Sequence, residues 1–267
     1  MIYQNKHNQL IQYIKALKSV VIAFSGGVDS TFLLKVAKDV LDDQVLAVTI
    51  QSPYIPKWEI AEAKEISSTL SVKHAIIEVG IANEIEYNPQ DRCYLCKKAV
   101  FNKIISIARE EGYDYVIDGT NYDDIKDYRP GLKALEQLNV RSPLKDCEIT
   151  KDEVRLLSRE LGLPTWDKPA YACLLTRIPY GIQLREEDFI KIEAAEKAIM
   201  DLGFKAIRVR CHGELARIEM CREDIDIVIS KNLMDEISLK VKDAGFTYVT
   251  LDLDGYRMGS FNQTQLD

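Results

Sequence analysis

The sequence predicts an α/β protein: a doubly wound parallel sheet followed by a small C-terminal α+β domain. In the longer N-terminal part, short apolar runs alternate with helical patterns, which is typical of parallel βαβ units. In the C-terminal part, alternating apolar and polar residues predict strands between two helical patterns. The strand-like runs of the N-terminal part are residues 20–24, 45–50, 74–79 and 115–118.

The remaining elements follow from the same periodicities. An amphipathic pattern predicts an opening helix at residues 9–17. Prolines and a glycine interrupt the helical pattern between residues 166 and 181, which marks a linker or an ordered loop. We expect domains at residues 1–168 and 185–267, joined by an active-site loop at 169–184. The second domain is expected to contain helices at 185–202 and 233–244 and strands at 206–210, 215–220 and 248–251.

The turn behind the first strand carries the most informative motif. It reads Ser-Gly-Gly-Val-Asp-Ser at residues 25–30 and precedes a helical pattern. Such a turn exposes backbone N–H groups and the positive end of the helix dipole, which can bind a pyrophosphate. Because Asp29 would repel a bare phosphate, we expect Mg²⁺ to bridge it to the nucleotide. A simple turn in which Asp29 or Ser30 caps the helix is the alternative.

This motif lacks the Gly-Lys-Ser/Thr ending of a Walker loop. It resembles the pyrophosphate loop (PP-loop) of the ATP pyrophosphatase superfamily, the adenine nucleotide alpha hydrolases. That resemblance implies that ATP is cleaved between its α and β phosphates. The residues expected to hold pyrophosphate and Mg²⁺ are Ser25, Gly26, Gly27, Asp29 and Ser30.

A second loop is expected at the same edge of the sheet, because ligands bind at the carboxyl ends of parallel strands. Residues 118–124 follow the fourth strand and are rich in Gly, Asn and Asp. Taken alone, they predict a turn with a solvated acidic end. Within the PP-loop superfamily they resemble a second nucleotide-site loop, in which Gly119 allows close approach and Asp124 lies near Mg²⁺ or the substrate.

The length and net charge of the chain limit the kinds of molecule that it is expected to bind. A chain of 267 residues can form one α/β domain and a smaller second one. The net charge of -7 argues against an extended nucleic-acid surface, so a small anionic substrate is expected. No apolar stretch approaches the roughly 20 residues that cross a bilayer, and the polar start predicts no signal peptide. We expect a cytoplasmic homo-oligomer with no membrane partner.

Three of the six cysteines fall in loops expected near the ligand edge of the sheet. Cys93 and Cys96 have C-x-x-C spacing before a helical pattern, and Cys173 lies in the later loop. Cationic neighbours and a helix N-terminus are expected to lower thiol pKa values. Three thiolates suit an iron–sulfur cluster with one open iron, while a redox pair or a zinc site remains an alternative. The cysteines assigned to the core are Cys147, Cys211 and Cys221.

Arg208 and Arg210 lie two residues apart in a predicted strand, so both side chains project from one face. Paired guanidinium groups suit bidentate binding of a phosphate. A solvated basic face is the alternative from these residues alone.

Several distinctive runs follow one another along most of the chain. They include Arg-Cys-Tyr-Leu-Cys-Lys at residues 92–97 and the later run from Lys-Pro-Ala to Ile-Pro-Tyr-Gly at 168–181. Between them lie Arg-Pro-Gly-Leu at 129–132 and Val-Arg-Ser-Pro-Leu at 140–144. Together these runs resemble the LarE-type sulfur transferases. The resemblance implies an enzyme that matures the nickel-pincer nucleotide cofactor.

The chemistry implied by this family is ATP-dependent. ATP adenylates a carboxylate of pyridinium-3,5-biscarboxylic acid mononucleotide, and sulfur then displaces AMP to give a thiocarboxylate. Some members give up the sulfur of the cysteine matched by Cys173. Others carry three cysteines that hold a [4Fe–4S] cluster able to deliver an added sulfide. Because this sequence has all three, the cluster route is favoured, with sulfide or another sulfur donor as co-substrate.

The family also implies roles in the second domain. Cys173 is expected at the reacting centre with Arg177 nearby, and Arg208 and Arg210 match the arginines that anchor the substrate phosphate. Glu196 and Glu219 match acidic positions that lie near the substrate site in this family.

Three other functions remain open at this point. A tRNA-thiolating PP-loop enzyme also combines this loop with three cluster cysteines, but needs a basic surface. An amide-forming ATP pyrophosphatase would not need the cysteines. A nucleotide-binding or metal-storage module would bind ATP without turnover.

Overall fold

The computed structural model describes residues 2–125, 130–169 and 171–256. Arg129 and Ala170, which belong to two of the runs that resemble LarE, lie outside the described residues. The chain divides into two compact units, here called the loop unit and the arginine unit. The loop unit contains the described part of residues 1–84 and 91–170, and the arginine unit that of residues 85–90 and 171–267.

The loop unit contains a four-stranded parallel sheet in the order β3-β2-β1-β4. This confirms the predicted α/β fold and its four strands. Its elements, in chain order, are α1 (Ile2–Leu17), β1 (Val20–Ala23), α2 (Val28–Leu41), β2 (Val45–Gln51), α3 (Lys57–Thr69), β3 (Lys73–Glu78), α4 (Arg92–Glu110), β4 (Val116–Ile117), a 3-10 turn (Tyr122–Ile125), α5 (Pro130–Gln137), α6 (Pro143–Asp146) and α7 (Lys151–Glu160).

Helices cover both faces of this sheet. Successive strand residues point to opposite faces, so Val20 and Ile22 join one apolar cluster with Leu33, whereas Val21 joins another with Phe101. Burial of both faces explains why the strands read as continuous apolar runs in the sequence.

The opening helix is longer than predicted. It begins at Ile2, although the amphipathic pattern predicts a start near residue 9. Leu10 and Ile14 are fully buried and lie one turn apart, which accounts for the predicted part. Residues 4–9 are polar and give no periodic signal, but none is proline or glycine, so the helix continues through them.

The arginine unit is built on a three-stranded sheet in the order β5-β6-β7. Strands β5 and β6 are antiparallel, with Arg208 opposite Glu219, and β6 and β7 are parallel. Its elements are a 3-10 turn (Leu174–Arg177), α8 (Glu186–Met200), β5 (Arg208–His212), β6 (Leu215–Glu219), α9 (Arg222–Ser230), α10 (Met234–Asp243) and β7 (Tyr248–Leu251).

Helix α9 is missing from the sequence prediction. Its sequence alternates isoleucine with polar or smaller residues, a pattern typical of a strand. The structure buries Ile225 and Val228, three positions apart, so the buried residues follow helical spacing.

Candidate active site

The predicted PP-loop forms the turn between β1 and α2. Gly26 has a left-handed backbone with φ 67°, and Gly27 stands at the N-cap of α2 without a side-chain cap. The Ser30 Oγ lies 3.3 Å from the Ser25 nitrogen and 3.1 Å from the Ser25 Oγ. The serines thus close the loop on itself, and the first N–H groups of α2 have no partner within the helix.

Two glycines make close approaches that a side chain would block. A Cβ on Gly26 would lie 3.2 Å from the Cα of Ala63 on α3. A Cβ on Gly119 would lie 2.9 Å from the backbone nitrogen of Ser30. The close approach at Gly119 is therefore made to the start of α2, which brings the loop at 118–124 against the PP-loop.

Asp29 is held by two side chains from distant parts of the sequence. The Nδ2 of Asn121 donates to Oδ1 of Asp29 over 3.2 Å, and the ammonium of Lys151 forms a short ion pair with Oδ2. Lys151 is the first residue of α7, whose start is fixed by a capping box between Thr150 and Glu153. The negative charge of Asp29 is thus balanced at the loop.

A second lysine contacts the same loop. The Nζ of Lys168 donates to the carbonyl oxygen of Gly26 over 3.1 Å and lies 2.5 Å from Oε2 of Glu62 on α3. Arg155 of α7 binds the carbonyl oxygens of Trp166 and Lys168 over 2.7 and 2.8 Å. Helix α7 therefore supports the PP-loop both through Lys151 and through the segment that ends in Lys168.

The loop at 118–124 is ordered by its own carboxylates. Asp118 is buried and accepts hydrogen bonds from the hydroxyls of Thr120 and Ser142 over 2.5 and 2.6 Å. Asp124 accepts a 3.0 Å hydrogen bond from the backbone nitrogen of Asn121. Asp124 thus helps to shape the loop that presents Asn121 to the PP-loop, and its proximity to Mg²⁺ or substrate stays a prediction.

Cys93 and Cys96 lie one turn apart at the start of α4. Cys93 is exposed, whereas Cys96 is half-buried with its Sγ 3.3 Å from the Tyr54 hydroxyl. The expected lowering of the thiol pKa is wrong for Cys96, because burial raises its pKa and Cys93 adds to the rise. The Tyr54 hydroxyl and Lys97 act in the opposite direction. Metal binding or an added cation would be needed to favour the Cys96 thiolate.

Cys173 is the N-cap residue of the 3-10 turn of the arginine unit and is half-buried. Arg177, at 1% exposure, donates to the carbonyl oxygen of Ala172 over 2.9 Å and to the Thr176 hydroxyl over 2.8 Å. Arg177 also forms a bidentate ion pair with Glu196 over 2.8 and 2.9 Å. It therefore fixes the backbone that carries Cys173, which is a positioning role.

The arginines of β5 have different surroundings. Arg210 forms a buried bidentate ion pair with Glu219 over 2.9 and 2.7 Å. Arg208 donates to the carbonyl oxygen of Ile207 over 2.7 Å, and its guanidinium lies 4.9 Å from the ring of Tyr256. Burial lowers the pKa of Arg208, and the positive charge of Arg177 lowers it further. An added anion at Arg208 would relieve both effects.

Known proteins match this chain over its first hundred residues and over nearly its whole length. The NAD synthase family matches residues 2–102, which include the PP-loop. An uncharacterized protein of Synechocystis sp. is 40% identical over 97% of this chain and 98% of its own length. The pyridinium-3,5-bisthiocarboxylic acid mononucleotide synthase of Lactiplantibacillus plantarum is 38% identical over 97% of this chain and 94% of its own length. The chain belongs to the family of this synthase.

Membership in this synthase family confirms the predicted resemblance to LarE-type enzymes and the prediction of an enzyme of the PP-loop type. An uncharacterized protein of Methanocaldococcus jannaschii is 35% identical over 90% of this chain and 91% of its own length. Among the described residues, every helix is too short or too polar to cross a membrane.

For this member of the synthase family, sequence reasoning missed Asn121, Lys151 and Lys168 as residues that contact the PP-loop. Lys168 belongs to a run that resembles LarE, but the sequence gives it no role. The capping box at Thr150 and Glu153 predicts a helix start beside Lys151, yet not its contact with Asp29. Asn121 lies in the predicted second loop, where its contact with Asp29 supports the expectation that both loops serve one ligand.

The cysteine thiols can be compared with the ligands that a [4Fe–4S] cluster requires. Cys93 and Cys96 offer two sulfur ligands from one helix turn, beside the Tyr54 hydroxyl, which suits cluster ligation. Within the described residues, no three His, Cys, Asp or Glu side chains come together as a metal site. The pair fits as two ligands, and Cys173 as the third ligand stays a prediction.

Proposed function

We propose that the protein is an ATP-dependent sulfur transferase that converts a carboxylate of pyridinium-3,5-biscarboxylic acid mononucleotide into a thiocarboxylate, in the biosynthesis of the nickel-pincer nucleotide cofactor. The observation that carries the proposal is the match to the Lactiplantibacillus plantarum synthase over 97% of the chain. The closed PP-loop between β1 and α2 supports it, because an adenylating enzyme must bind pyrophosphate as the leaving group.

ATP is proposed to bind with its β and γ phosphates at the N-terminus of α2. Ser25, Gly26, Gly27 and Ser30 supply N–H and hydroxyl donors there. Asp29 would hold Mg²⁺, whose charge neutralises the pyrophosphate as it leaves. Lys151, already beside Asp29, adds a second positive charge to a loop that lacks the lysine of a Walker motif.

The adenylation step needs positioning more than acid–base chemistry. A substrate carboxylate oxygen attacks the α phosphorus, the bond to the bridging oxygen breaks, and pyrophosphate leaves. The acyl adenylate then has a good leaving group, so a sulfur nucleophile can attack the carbonyl carbon and expel AMP. The product is a thiocarboxylate, and one ATP is consumed for each sulfur transferred.

The substrate phosphate is proposed to bind at Arg208, with Arg210 beside it on β5. Buried surroundings and the nearby positive charge of Arg177 favour an added anion at Arg208. Glu196 and Glu219 hold Arg177 and Arg210 in place through bidentate contacts. Their contribution to substrate binding is therefore indirect.

The sulfur is proposed to pass through the three cysteines Cys93, Cys96 and Cys173. When bound, a [4Fe–4S] cluster on these thiolates supplies an open iron that can carry an added sulfide. Arg177 keeps the backbone at Cys173 in one conformation, and the Tyr54 hydroxyl orients the Cys96 sulfur. The sulfur donor, the homo-oligomeric state and the cytoplasmic location stay predictions.

The test is an anaerobic preparation with iron and sulfide quantification, a visible absorption spectrum, and a product assay with Mg-ATP, sulfide and the mononucleotide. We expect AMP, pyrophosphate and a thiocarboxylate product in the wild type. Cys93→Ala is expected to lose the spectrum and most of the iron. Unchanged iron content in Cys93→Ala would remove the cluster from the proposal.

The same assay separates the remaining functions. Loss of the Cys173 sulfur after one turnover, detected by mass spectrometry of the protein, would replace the cluster by a sacrificial cysteine. With ammonium added as a nitrogen donor, an amide product that persists after substitution of all three cysteines by serine would indicate amide formation. With tRNA added, thiolated tRNA as the preferred product would move the enzyme to the tRNA branch of the superfamily.

A further inference from the structure

The ammonium group of Lys168 makes a contact with the PP-loop that the proposed function does not use. It donates to the carbonyl oxygen of Gly26 over 3.1 Å, with Oε2 of Glu62 at 2.5 Å and the ring of Trp58 at 5.8 Å. The Lys168 side chain is 14% exposed, whereas that of Glu62 is 46% exposed. The lysine is thus held from several sides while its carboxylate partner faces solvent.

Lys168 binds the carbonyl oxygen of the Gly26–Gly27 peptide, which can rotate easily. Gly26 and Gly27 are consecutive, and glycine adopts either sign of φ at little cost. In a trans peptide the carbonyl and the next N–H point in opposite directions. When Lys168 binds the Gly26 oxygen on one side of the loop, the Gly27 N–H is directed to the other side, where its nitrogen donates a 3.4 Å hydrogen bond to the Ser25 Oγ.

We infer that Lys168 is a positioning residue for ATP: it fixes the orientation of the Gly26–Gly27 peptide so that the Gly27 N–H faces the pyrophosphate. This inference rests on the proposed binding of ATP at the PP-loop, but not on the identity of the sulfur acceptor. Without Lys168 the free loop would populate both peptide orientations, and ATP would have to select one of them.

The geometry around Lys168 supports this role. Arg155 binds the carbonyl oxygens of Trp166 and Lys168, so the backbone that carries the lysine is fixed to α7. A Cβ added to Gly26 would lie 3.2 Å from the Cα of Ala63, next to Glu62 on α3, so the loop backbone approaches α3 closely. The Gly26 peptide thus packs close to α3 and accepts a hydrogen bond from Lys168.

A purely structural role for Lys168 would act through Glu62. In that case the ion pair between α3 and residue 168 would stabilise the fold, and loss of either partner would have the same effect. The positioning role differs, since only the lysine contacts Gly26. Glu62→Gln removes the charge of the carboxylate and leaves the bond from Lys168 to the Gly26 oxygen in place.

The experiment measures binding of a non-hydrolysable Mg-ATP analogue by calorimetry, together with KM values for ATP and for the mononucleotide. Lys168→Met is expected to weaken binding of the analogue about tenfold, the loss of one hydrogen bond from a charged donor. Lys168→Arg, which keeps a charged donor, should recover part of this loss. The KM for the mononucleotide should stay within about twofold of the wild-type value.

Lys64→Met, an exposed lysine on α3, is the matched control and should bind the analogue as the wild type does. Thermal unfolding of each variant reports whether the fold is kept, and Lys168→Gln serves if Lys168→Met does not fold. Wild-type affinity in Lys168→Met or Lys168→Gln overturns the inference, as does an equal loss in Glu62→Gln. A wild-type enzyme that binds Mg-ATP but forms no thiocarboxylate contradicts the proposed function and leaves the result for Lys168 standing.

Discussion

Lys151 and Asp29 form an ion pair at the PP-loop although 122 positions separate them in the sequence. The two side chains are 30% and 21% exposed, so the pair is half-buried. Half-exposed ion pairs contribute little to the free energy of unfolding, about 1 kcal/mol or less. The position of this pair at the start of α2 therefore points to ligand binding as its main role.

Substitution of Lys151 tests that role. Lys151→Met leaves the charge of Asp29 unbalanced beside the pyrophosphate, so we expect affinity for Mg-ATP to fall about tenfold or more. The free energy of unfolding should change by about 1 kcal/mol or less. Calorimetric titration with Mg-ATP and denaturant unfolding measure the two effects. Lys103→Met, an exposed position on α4, is the control, and a large loss of stability without loss of affinity would contradict the assignment.

Gly119 offers a second test of the loop geometry. In Gly119→Ala the new Cβ would lie 2.9 Å from the Ser30 nitrogen and 3.2 Å from the Asp29 carbonyl carbon, so backbone must move at the start of α2. We expect a loss of about 1–3 kcal/mol in the free energy of unfolding and weaker binding of ATP.

The matched control is Gly80→Ala, where a Cβ would meet no atom within 4 Å. That variant should stay within about 0.5 kcal/mol of the wild type. Equal unfolding midpoints for the two alanine variants would show that the loop at 118–124 does not lie against α2 as described.

Tyr54 is expected to control the reactivity of Cys96. Its hydroxyl lowers the pKa of a thiol that burial raises, so Tyr54→Phe should raise that pKa further. Alkylation of Cys96 by iodoacetamide should then slow at a given pH, because the thiolate is the reacting form. Peptide mass spectrometry over a pH series measures the rate.

The exposed Cys93 provides an internal control for this experiment. It lies one turn from Cys96 and should be alkylated at the same rate in both proteins. If Tyr54→Phe accelerates the alkylation of Cys96, the Tyr54 hydroxyl shields the sulfur and does not stabilise its thiolate. Replacement by Phe keeps the ring, so a packing defect is not expected to explain a slower reaction.

The fold could be read from the sequence because its signals are local. Apolar runs buried on both faces of the sheet predict the four strands, and the Gly-Gly turn predicts the start of α2. The contacts of Lys151 and Lys168 could not be predicted, since they join segments more than a hundred residues apart. Helix α9 was not predicted, for a different reason. Its isoleucines at every second position indicate a strand, although its buried residues have helical spacing.

In the candidate site, too, the sequence predicts the features that depend on local signals and misses those that depend on tertiary contacts. Residues that form the PP-loop by local turn chemistry lie where the motif indicates. The partners of charged groups depend on tertiary packing, so the bidentate pairs of Arg177 with Glu196 and of Arg210 with Glu219 carry no sequence signal. The sequence pattern also cannot distinguish a half-buried Cys96 from an exposed Cys93, although burial decides the direction of the pKa shift.

Acid is expected to destabilise the loop unit through His74. The imidazole nitrogens lie 2.8 Å from the Ser67 Oγ and 2.7 Å from the Thr49 Oγ1. Burial lowers the pKa of His74, and the positive charge of Lys64 lowers it further. A pKa lowered on folding means that the unfolded chain binds the proton more tightly. The stabilising contribution is therefore fully present above about pH 6.5, the unfolded value, and is lost as the pH falls through the lower folded value.

Denaturant unfolding at pH 7.5 and pH 5.5 measures this loss in the wild type and in His74→Gln. The glutamine keeps a hydrogen-bonding side chain between Ser67 and Thr49 but cannot take up the proton, so the difference between the two pH values should shrink. Burial also lowers the pKa values of His7 and His212, which therefore account for the part that remains. An unchanged pH dependence in His74→Gln would place the acid sensitivity at those two histidines and remove it from β3.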